Sequence, residues 1–180
     1  MLTTISLFSG IGGVDFGFEA AGFTTRVALE FNKQACETMR LNHKWPVIQD
    51  DIHNVTSEMI LKAAKLKPGQ ADMLIGGPPC QPFSKASYWA RGDARRLDDP
   101  RADTLTAYLR VLRDTKPRAF LIENVYGLAY EGKDEGLRYL LDGIDEVNRE
   151  AGTNYEVSWR VIKCAEYGVP QLRERVFIIG

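Results

Sequence analysis

One cysteine lies on a proline-rich loop, in a setting typical of a nucleophile. Cys80 is part of the tetrapeptide Pro78-Pro79-Cys80-Gln81, shortly after the apolar run Met73-Leu74-Ile75. The two preceding prolines restrict the backbone, so little further entropy is lost when the sulfur is held in one position. Free cysteines are also common packing residues. The loop alone therefore leaves both a reactive and an inert thiol open.

A glycine-rich turn follows the first apolar segment and precedes a helical pattern. It reads Ser9-Gly10-Ile11-Gly12-Gly13, and Glu30 comes twenty residues after Gly10. Small residues let the backbone approach a ligand, and a carboxylate at the end of the next strand can accept both hydroxyls of a ribose. The alternative is a tight turn without a ligand. Together, the turn and Glu30 indicate a cofactor that contains a nucleoside.

A second acidic position follows the third predicted strand. Asp51 can accept a hydrogen bond from an exocyclic amine, while Ile52 or Phe31 packs on a purine face. The alternative is that Asp50 and Asp51 only cap the next segment, and these residues taken singly favour it.

Two further candidates lie on later strands. Glu123 follows Phe120-Leu121-Ile122, so its carboxylate emerges near Cys80 if the two strands are neighbours. It is either a salt-bridged or capping group, or an acid whose pKa a cleft raises. In Gln171-Leu172-Arg173-Glu174-Arg175 the odd-numbered positions alternate onto one strand face. The alternative for this run is a charged edge strand exposed to solvent.

These candidates need elements that position them, and the hydrophobic pattern predicts alternating strands and helices. The predicted strands are Ile5–Phe8, Val27–Leu29, Val47–Ile48, Met73–Ile75, Ala119–Ile122, Val157–Ile162 and Val176–Ile179. The predicted helices run from Val14 to Ala21, Gln34 to Leu41, Ser57 to Lys65, Thr104 to Arg113 and Gly136 to Arg149. Such alternation indicates right-handed βαβ units and a mainly parallel sheet, which binds ligands beyond the carboxyl ends of its strands.

Composition indicates one ordinary domain. The 180 residues are 44% hydrophobic and 26% charged, and the formal net charge of −1 argues against non-specific coating of nucleic acid. Three cysteines without a CxxC pair disfavour a disulfide framework and a zinc site, so we expect a reducing, cytoplasmic location and no metal. No basic leader and no long apolar run is present, which predicts a soluble protein without membrane contact.

Six segments resemble, in order and spacing, the motifs of the cytosine-5 DNA methyltransferases. They are Phe8-Ser9-Gly10-Ile11-Gly12-Gly13, Glu30, Asp51-Ile52, Gly77-Pro78-Pro79-Cys80-Gln81, Glu123-Asn124-Val125 and Gln171-Leu172-Arg173-Glu174-Arg175. The resemblance implies an α/β class I S-adenosylmethionine-dependent methyltransferase (Rossmann-like) fold, with a seven-stranded, mainly parallel sheet and an antiparallel last strand. It also implies that residues 1–180 form one catalytic and cofactor-binding domain.

The same resemblance implies a role for each matching residue. Cys80 adds to carbon 6 of cytosine, Glu123 protonates ring nitrogen 3, and Arg173 and Arg175 steady the base and the catalytic loop. The implied contacts to S-adenosylmethionine are Phe8, Ser9, Gly10, Ile11, Gly12, Gly13, Glu30, Phe31, Asp51, Ile52 and Pro78. The implied contacts to the substrate are Pro79, Gln81, Ser84, Lys85, Asn124 and Gln171.

The implied partner is double-stranded DNA, with the target cytosine flipped out of the stack, as in a restriction-modification system. The segment from Lys85 to Arg101 mixes basic and aromatic residues, and we expect it to close on DNA. After Gly180 the family pattern continues into a target-recognition domain and a closing segment. Because both are absent here, we expect full activity to need a second chain or a missing C-terminal part. A transfer RNA cytosine-5 methyltransferase and a non-catalytic, cofactor-binding partner subunit remain as alternatives.

Overall fold

The computed structural model describes residues 1–79, 103–129 and 135–180. The strands in these ranges are β1 (Leu2–Leu7), β2 (Phe23–Glu30), β3 (Val47–Gln49), β4 (Met73–Gly76), β5 (Ala119–Val125), β6 (Ser158–Lys163) and β7 (Glu174–Ile179). The helices are α1 (Gly13–Ala20), α2 (Lys33–Asn42), α3 (Ser57–Ala64), α4 (Asp103–Thr115) and α5 (Glu135–Ala151). Two short 3-10 helices, Tyr126–Ala129 and Cys164–Tyr167, were not predicted from the sequence.

Within the described ranges the seven strands form one sheet in the order β3-β2-β1-β4-β5-β7-β6. The pairings from β3 to β5 are parallel, and β7 is antiparallel to both β5 and β6. The predicted fold class is therefore confirmed, including the antiparallel last strand. Since β7 lies between β5 and β6, the alternative of a charged edge strand for this segment is wrong.

The order of the strands fixes where a ligand site is expected. From β1 the chain moves outward through β2 to β3, and it then returns to the other side of β1 to form β4 and β5. Right-handed crossovers then put α1 and α2 on one face of the sheet, and α3, α4 and α5 on the other. The direction reverses between β1 and β4, and open α/β sheets bind ligands at the carboxyl ends of strands at such a point.

The core explains the apolar strand sequences. Ile5 and Leu7 of β1 and Leu74 of β4 are fully buried, as are Phe120 and Ile122 of β5. Strands covered by helices on both faces read as nearly continuous apolar runs. The central strands thus form a rigid platform for the loops at their carboxyl ends.

Helix α5 shows how the outer layer is held in place. Its residues Leu137, Leu140 and Ile144 recur at helical spacing and are buried, and the helix packs on α4. Within the described ranges, no helix combines the length and the apolar character that crossing a bilayer requires.

Tyr108 of α4 joins the helical layer to two central strands. Its side chain is fully buried, and its hydroxyl lies 3.1 Å from the carbonyl oxygen of Leu74 on β4 and 3.2 Å from that of Leu121 on β5. Burial raises the pKa of Tyr108 well above its ordinary value, so the hydroxyl stays a donor. The ring of Tyr108 also covers Gly76 at the end of β4.

We expect Gly76→Ala to destabilise the protein by about 1–3 kcal/mol, the usual cost of overpacking a core. A Cβ at Gly76 would lie 2.9 Å from the carbonyl oxygen of Leu7 and 3.0 Å from the ring of Tyr108, and the backbone of β1 has no room to move. Gly17→Ala on α1 is the matched control, because its Cβ would meet nothing within 4 Å. That substitution should stabilise by about 0.5–1 kcal/mol. Urea titration measures both free energies of unfolding, and a neutral Gly76→Ala would contradict the packing argument.

Candidate active site

The glycine-rich turn lies at the carboxyl end of β1, beside the reversal point of the sheet. Its backbone is left-handed at Phe8 (φ 52°), Gly10 (φ 56°) and Gly12 (φ 89°), and Gly12 is the N-cap of α1. Glycine adopts such angles readily, whereas Phe8 adopts them at a cost in strain, which is typical of functional sites. The amide of Ser9 donates to the carbonyl of Leu29 on β2. The turn is therefore held against β2, and its residues Ile11 and Gly13 are exposed.

Glu30, at the end of β2, organises this turn. One carboxylate oxygen accepts from the amide of Gly10 at 2.9 Å, and the other accepts from the amides of Phe31 at 3.1 Å and Asn32 at 2.9 Å. An ionised carboxylate has about four acceptor positions, so Glu30 retains limited capacity for a ligand hydroxyl. The ribose contact stays a prediction, and the structure adds a second role that the sequence did not show. Glu30 holds the glycine-rich turn and the start of α2 together.

A buried polar network lies beneath the turn. Asp15 of α1 is fully buried, and its carboxyl group accepts from the hydroxyls of Ser6 at 2.9 Å and Thr25 at 3.1 Å. The hydroxyl of Ser6 also shares a 2.8 Å hydrogen bond with that of Ser9 in the turn. Burial raises the pKa of Asp15, and the two hydroxyl donors partly offset the rise. Sequence reasoning missed Asp15, although a carboxylate between Val14 and Phe16 in the first turn of α1 was a signal for it.

The loop after β3 carries the predicted purine contacts. Asp50 caps this loop, which agrees with the alternative interpretation of the sequence. Its carboxylate accepts hydrogen bonds from the amide of Asp51 and from the side chain of Asn54. Asp51 is exposed, and one of its oxygens accepts from the amide of His53 at 3.0 Å. Ile52 is only 3% exposed and packs in the core, so it offers little surface to a purine.

Phe31 is the more accessible of the two candidates for packing on a purine, since it is 71% exposed. Arg110 of α4 holds the loop after β3 from below, because its guanidinium donates to the carbonyls of Ile52 at 2.8 Å and Val55 at 3.0 Å. Sequence reasoning did not select Arg110. Its position just past the middle of a helix gave no sign of which loop it would reach.

Glu123 forms an ion pair that the sequence could not reveal. Its Oε1 lies 2.9 Å from Nε of Arg175 and 4.0 Å from Nη2 of Arg173. The side chains of Glu123 and Arg175 are 22% and 20% exposed, so the pair is accessible at the rim of a cleft. A Cβ at Gly77 would lie 3.2 Å from the other oxygen of Glu123, which puts the start of the cysteine loop against this carboxylate. The salt-bridged alternative for Glu123 therefore holds, within a cleft.

Gln171 departs from the predicted strand. Strand β7 begins at Glu174, and the amide of Gln171 donates back to the carbonyl of Val169 in a turn. Gln171 and Arg173 both precede the strand, so they do not share a strand face with Arg175, and that part of the prediction is wrong. The contact of Gln171 with substrate stays a prediction.

The cysteine loop is held from both sides before it reaches Cys80. Asn124 donates its side-chain amide to the carbonyl of Pro78 at 3.0 Å, and Thr104 donates its hydroxyl to the carbonyl of Pro79 at 2.9 Å. Asn124 is only 3% exposed, and its side-chain oxygen accepts from the amide of Val125. Asn124 therefore holds the loop, and its predicted contact with substrate stays a prediction.

Four predicted site residues and the predicted DNA-contacting segment lie outside the described residues. The residues are Cys80, Gln81, Ser84 and Lys85, and the segment runs from Lys85 to Arg101. The nearness of Glu123 to Cys80 stays a prediction, and the condition on which it depended, that the two strands are neighbours, is met. Strand β4 pairs directly with β5, with Gly76 opposite Ile122, so the loop that leads to Cys80 starts beside Glu123.

A cleft of about 400 Å³ opens next to the Glu123–Arg175 pair. One wall is the face of α1 that carries Val14 and Phe18, and the other is the open face of β5 and β7 with Leu121 and Phe177. The cleft is mainly apolar, and its charged groups are at one end. A cavity of this size with a few convergent polar groups suits a small organic ligand.

Comparisons with known proteins agree with this arrangement. The family model for C-5 cytosine-specific DNA methylase matches residues 2–180. The chain is 46% identical to type II methyltransferase M.AquIA of Picosynechococcus sp. over 179 residues, which cover 98% of this chain and 70% of that protein. It is 40% identical to type II methyltransferase M.SacI of Streptomyces achromogenes over 192 residues, which cover 99% of this chain and 47% of that protein.

Among solved structures, the Dnmt2 methyltransferase of S. pombe superposes with a TM-score of 0.71 at 24% identity. The match covers 99% of this chain and 50% of that one, and at this identity it supports the fold alone. The 180 residues thus correspond to 70% of the cyanobacterial relative and to about half of the other two proteins.

Proposed function

Because the chain belongs to the C-5 cytosine-specific DNA methylase family, we propose that it transfers a methyl group to carbon 5 of cytosine in DNA. The observation that carries the proposal is that two loops and an ion pair lie at the carboxyl edge of the parallel strands. The loops are the glycine-rich turn after β1 and the proline loop after β4, and the ion pair joins Glu123 of β5 to Arg175 of β7. Type II methyltransferase relatives support DNA as the substrate and modification within a restriction-modification system as the setting.

S-adenosylmethionine is the methyl donor of the family, and the described residues fit it. This cofactor presents a carboxylate and ribose hydroxyls but no phosphate. A turn in which Ile11 and Gly13 are exposed and no lysine is present suits it, as does the carboxylate of Glu30. When bound, it supplies an electrophilic methyl group. The proposed contacts are the glycine-rich turn and Glu30 for the polar groups, and Phe31 with the Asp51 loop for the purine.

The proposed chemistry at the base follows from the residues around the cleft. Carbon 5 of cytosine is a weak nucleophile, so the thiolate of Cys80 first bonds to carbon 6 and makes carbon 5 enamine-like. Charge that builds on the ring is neutralised at nitrogen 3 by a proton from Glu123. After carbon 5 gains the methyl group, it loses its proton to water, and the electron pair of that bond expels the thiolate of Cys80. The carboxylate of Glu123 then takes back the proton from nitrogen 3, which leaves neutral 5-methylcytosine. Arg173 and Arg175 hold the carboxyl group of Glu123 in place and keep the base aligned with it.

The target base must leave the duplex, because a stacked cytosine is inaccessible to these groups. We propose that the segment from Lys85 to Arg101 contacts DNA during this step. We also propose that residues outside these 180, in the same protein or in a second chain, contribute the reading of a base sequence. The greater length of the relatives and the open apolar wall of the cleft support this part of the proposal.

The cofactor assignment predicts that Glu30→Gln binds S-adenosylmethionine about 10- to 100-fold more weakly. The substitution removes the charge, and it leaves one of the three amide donors facing an NH₂ group instead of an acceptor. Isothermal titration calorimetry measures the change. Glu37→Gln, on the exposed side of α2 where Glu37 pairs with Lys33, is the matched control and should bind like the unsubstituted protein. Equal affinities for the two variants would contradict a role for Glu30.

A covalent trap tests the substrate class. The protein is incubated with S-adenosylmethionine and either duplex DNA or transfer RNA containing 5-fluorocytosine, and the intact mass is measured under denaturing conditions. Fluorine cannot leave as a proton does, so a turnover leaves protein attached to nucleic acid. We expect an adduct with DNA. An adduct with transfer RNA alone would favour the RNA enzyme, and cofactor binding without any adduct would favour a non-catalytic subunit or a missing second part.

A further inference from the structure

We propose that Thr104 is a positioning residue for the reaction, and that its hydroxyl fixes the direction in which the chain enters Cys80. The proposal rests on the proposed function of Cys80 as the nucleophile. The hydroxyl of Thr104 donates to the carbonyl of Pro79, the residue directly before Cys80, at 2.9 Å. Thr104 lies in the first turn of α4, and the family motifs found in the sequence do not include it.

The covalent structure of the loop explains why an outside donor is needed. Proline has no amide hydrogen, so Pro78 and Pro79 offer only their carbonyl oxygens as polar backbone groups. The ring fixes φ of Pro79, and its remaining freedom is ψ, which sets both the direction of its carbonyl and the start of the next residue. A hydrogen bond to that carbonyl therefore restricts ψ. Thr104 supplies this bond at Pro79, as Asn124 does at Pro78.

Helix α4 can hold the loop because it is itself fixed. Tyr108 lies one helical turn after Thr104 on the same face, and its hydroxyl contacts carbonyls of β4 and β5. Arg110 attaches the same helix to the loop after β3. The hydroxyl of Thr104 is thus presented from an element tied to the strands that lead to Cys80 and Glu123.

The same contact joins the two ends of a long segment. Pro79 and Thr104 flank residues 80–103, which include Cys80 and the segment proposed to contact DNA. The contact holds these ends close together, and it offsets part of the entropy that the segment loses because its ends are fixed. Loss of the bond should therefore affect the placement of Cys80 more than the stability of the fold.

Three variants on α4 separate positioning from stability. Thr104→Val keeps the shape and removes the hydroxyl, and Thr104→Ser keeps the hydroxyl. Thr106→Val is the matched control, because the hydroxyl of Thr106 shares a 2.7 Å hydrogen bond with that of Tyr139 on α5 and does not contact the cysteine loop. We expect the melting temperatures and the affinities for S-adenosylmethionine of the two valine variants to be similar.

The rate of the 5-fluorocytosine adduct is the first readout. Thr104→Val should form it about tenfold more slowly, the effect of one ordinary hydrogen bond, while Thr104→Ser and Thr106→Val stay within about twofold of the unsubstituted protein. Equal rates for the two valine variants would overturn the proposal. Hydrogen exchange at the amides of Cys80 and Gln81 is the second readout, and it needs no activity. We expect faster exchange in Thr104→Val than in Thr106→Val.

The two readouts separate the inference from the function on which it rests. If the unsubstituted protein forms no adduct with DNA or transfer RNA, these 180 residues alone do not carry out the proposed reaction, and the exchange measurement still decides whether Thr104 holds the loop. If it forms the adduct and neither readout distinguishes Thr104→Val from Thr106→Val, the proposed function stands and the role of Thr104 is overturned.

Discussion

Replacing Cys80 with serine is expected to lower the rate of methyl transfer at least about a thousandfold and to eliminate the 5-fluorocytosine adduct. A serine hydroxyl is almost fully protonated at neutral pH, and it is a far weaker nucleophile than a thiol. Since removal of a nucleophile disables the whole covalent route, its loss is among the largest single effects in an active site. The affinity for S-adenosylmethionine should be unchanged, because the substitution leaves Pro78 in place and the other proposed cofactor contacts lie on other loops.

The measurement is transfer of a labelled methyl group under single-turnover conditions, beside intact mass. Among the described residues, Cys164 is a free cysteine that lines the cleft together with Arg173 and Arg175. Cys164→Ser therefore tests the competing assignment. Adduct formation that survives in Cys80→Ser and disappears in Cys164→Ser would show that the nucleophile had been misassigned.

Glu123→Gln is expected to reduce the rate about 10²- to 10⁴-fold, the usual contribution of general acid catalysis. Glutamine has nearly the same shape, but its amide has no proton of comparable acidity to give to ring nitrogen 3. The ion pair with Arg175 at 2.9 Å is also lost, so the guanidinium is left at the cleft without its partner. The substitution should slow formation of the adduct and leave cofactor affinity near its original value.

A matched control is available on the neighbouring strand. Glu174→Gln at the start of β7 removes a carboxylate of the same type next to Arg175, and its side chain is outside the set assigned to the chemistry. We expect it to stay within about twofold of the unsubstituted rate. Equal losses in both variants would mean that net charge near Arg175, and not the proton of Glu123, governs the reaction.

The sequence predicted the order of the elements well, because that information is local. The turn after β1 and the run Met73-Leu74-Ile75 carry patterns that need no knowledge of distant residues. The antiparallel direction of the last strand came from the family resemblance, and the pairing of β7 with β5 and β6 confirms it.

Contacts between distant elements could not be predicted in the same way. Alternation places Glu123 and Arg175 on strand faces, but it does not say which strands are neighbours. Their contact depends on the register of β5 with β7, in which Glu123 lies opposite Phe177 and Val125 opposite Arg175. That Asn124 would hold the cysteine loop could not be predicted for a related reason. It is the next residue after Glu123 on β5, so it belongs to the opposite, buried face.

The position of β7 between β5 and β6 has a consequence for how the protein acquires activity during folding. Within the described sheet, β6 is the outer strand and pairs with β7, so it is connected to β5 only through β7. Insertion of β7 is also the event that brings Arg175 to Glu123. Contacts of such long sequence separation form late, because the loop between them must close first. We therefore expect the Glu123–Arg175 pair to form only once β7 has paired with β5, whereas the contact of Glu30 with the glycine-rich turn depends on β1 and β2 alone.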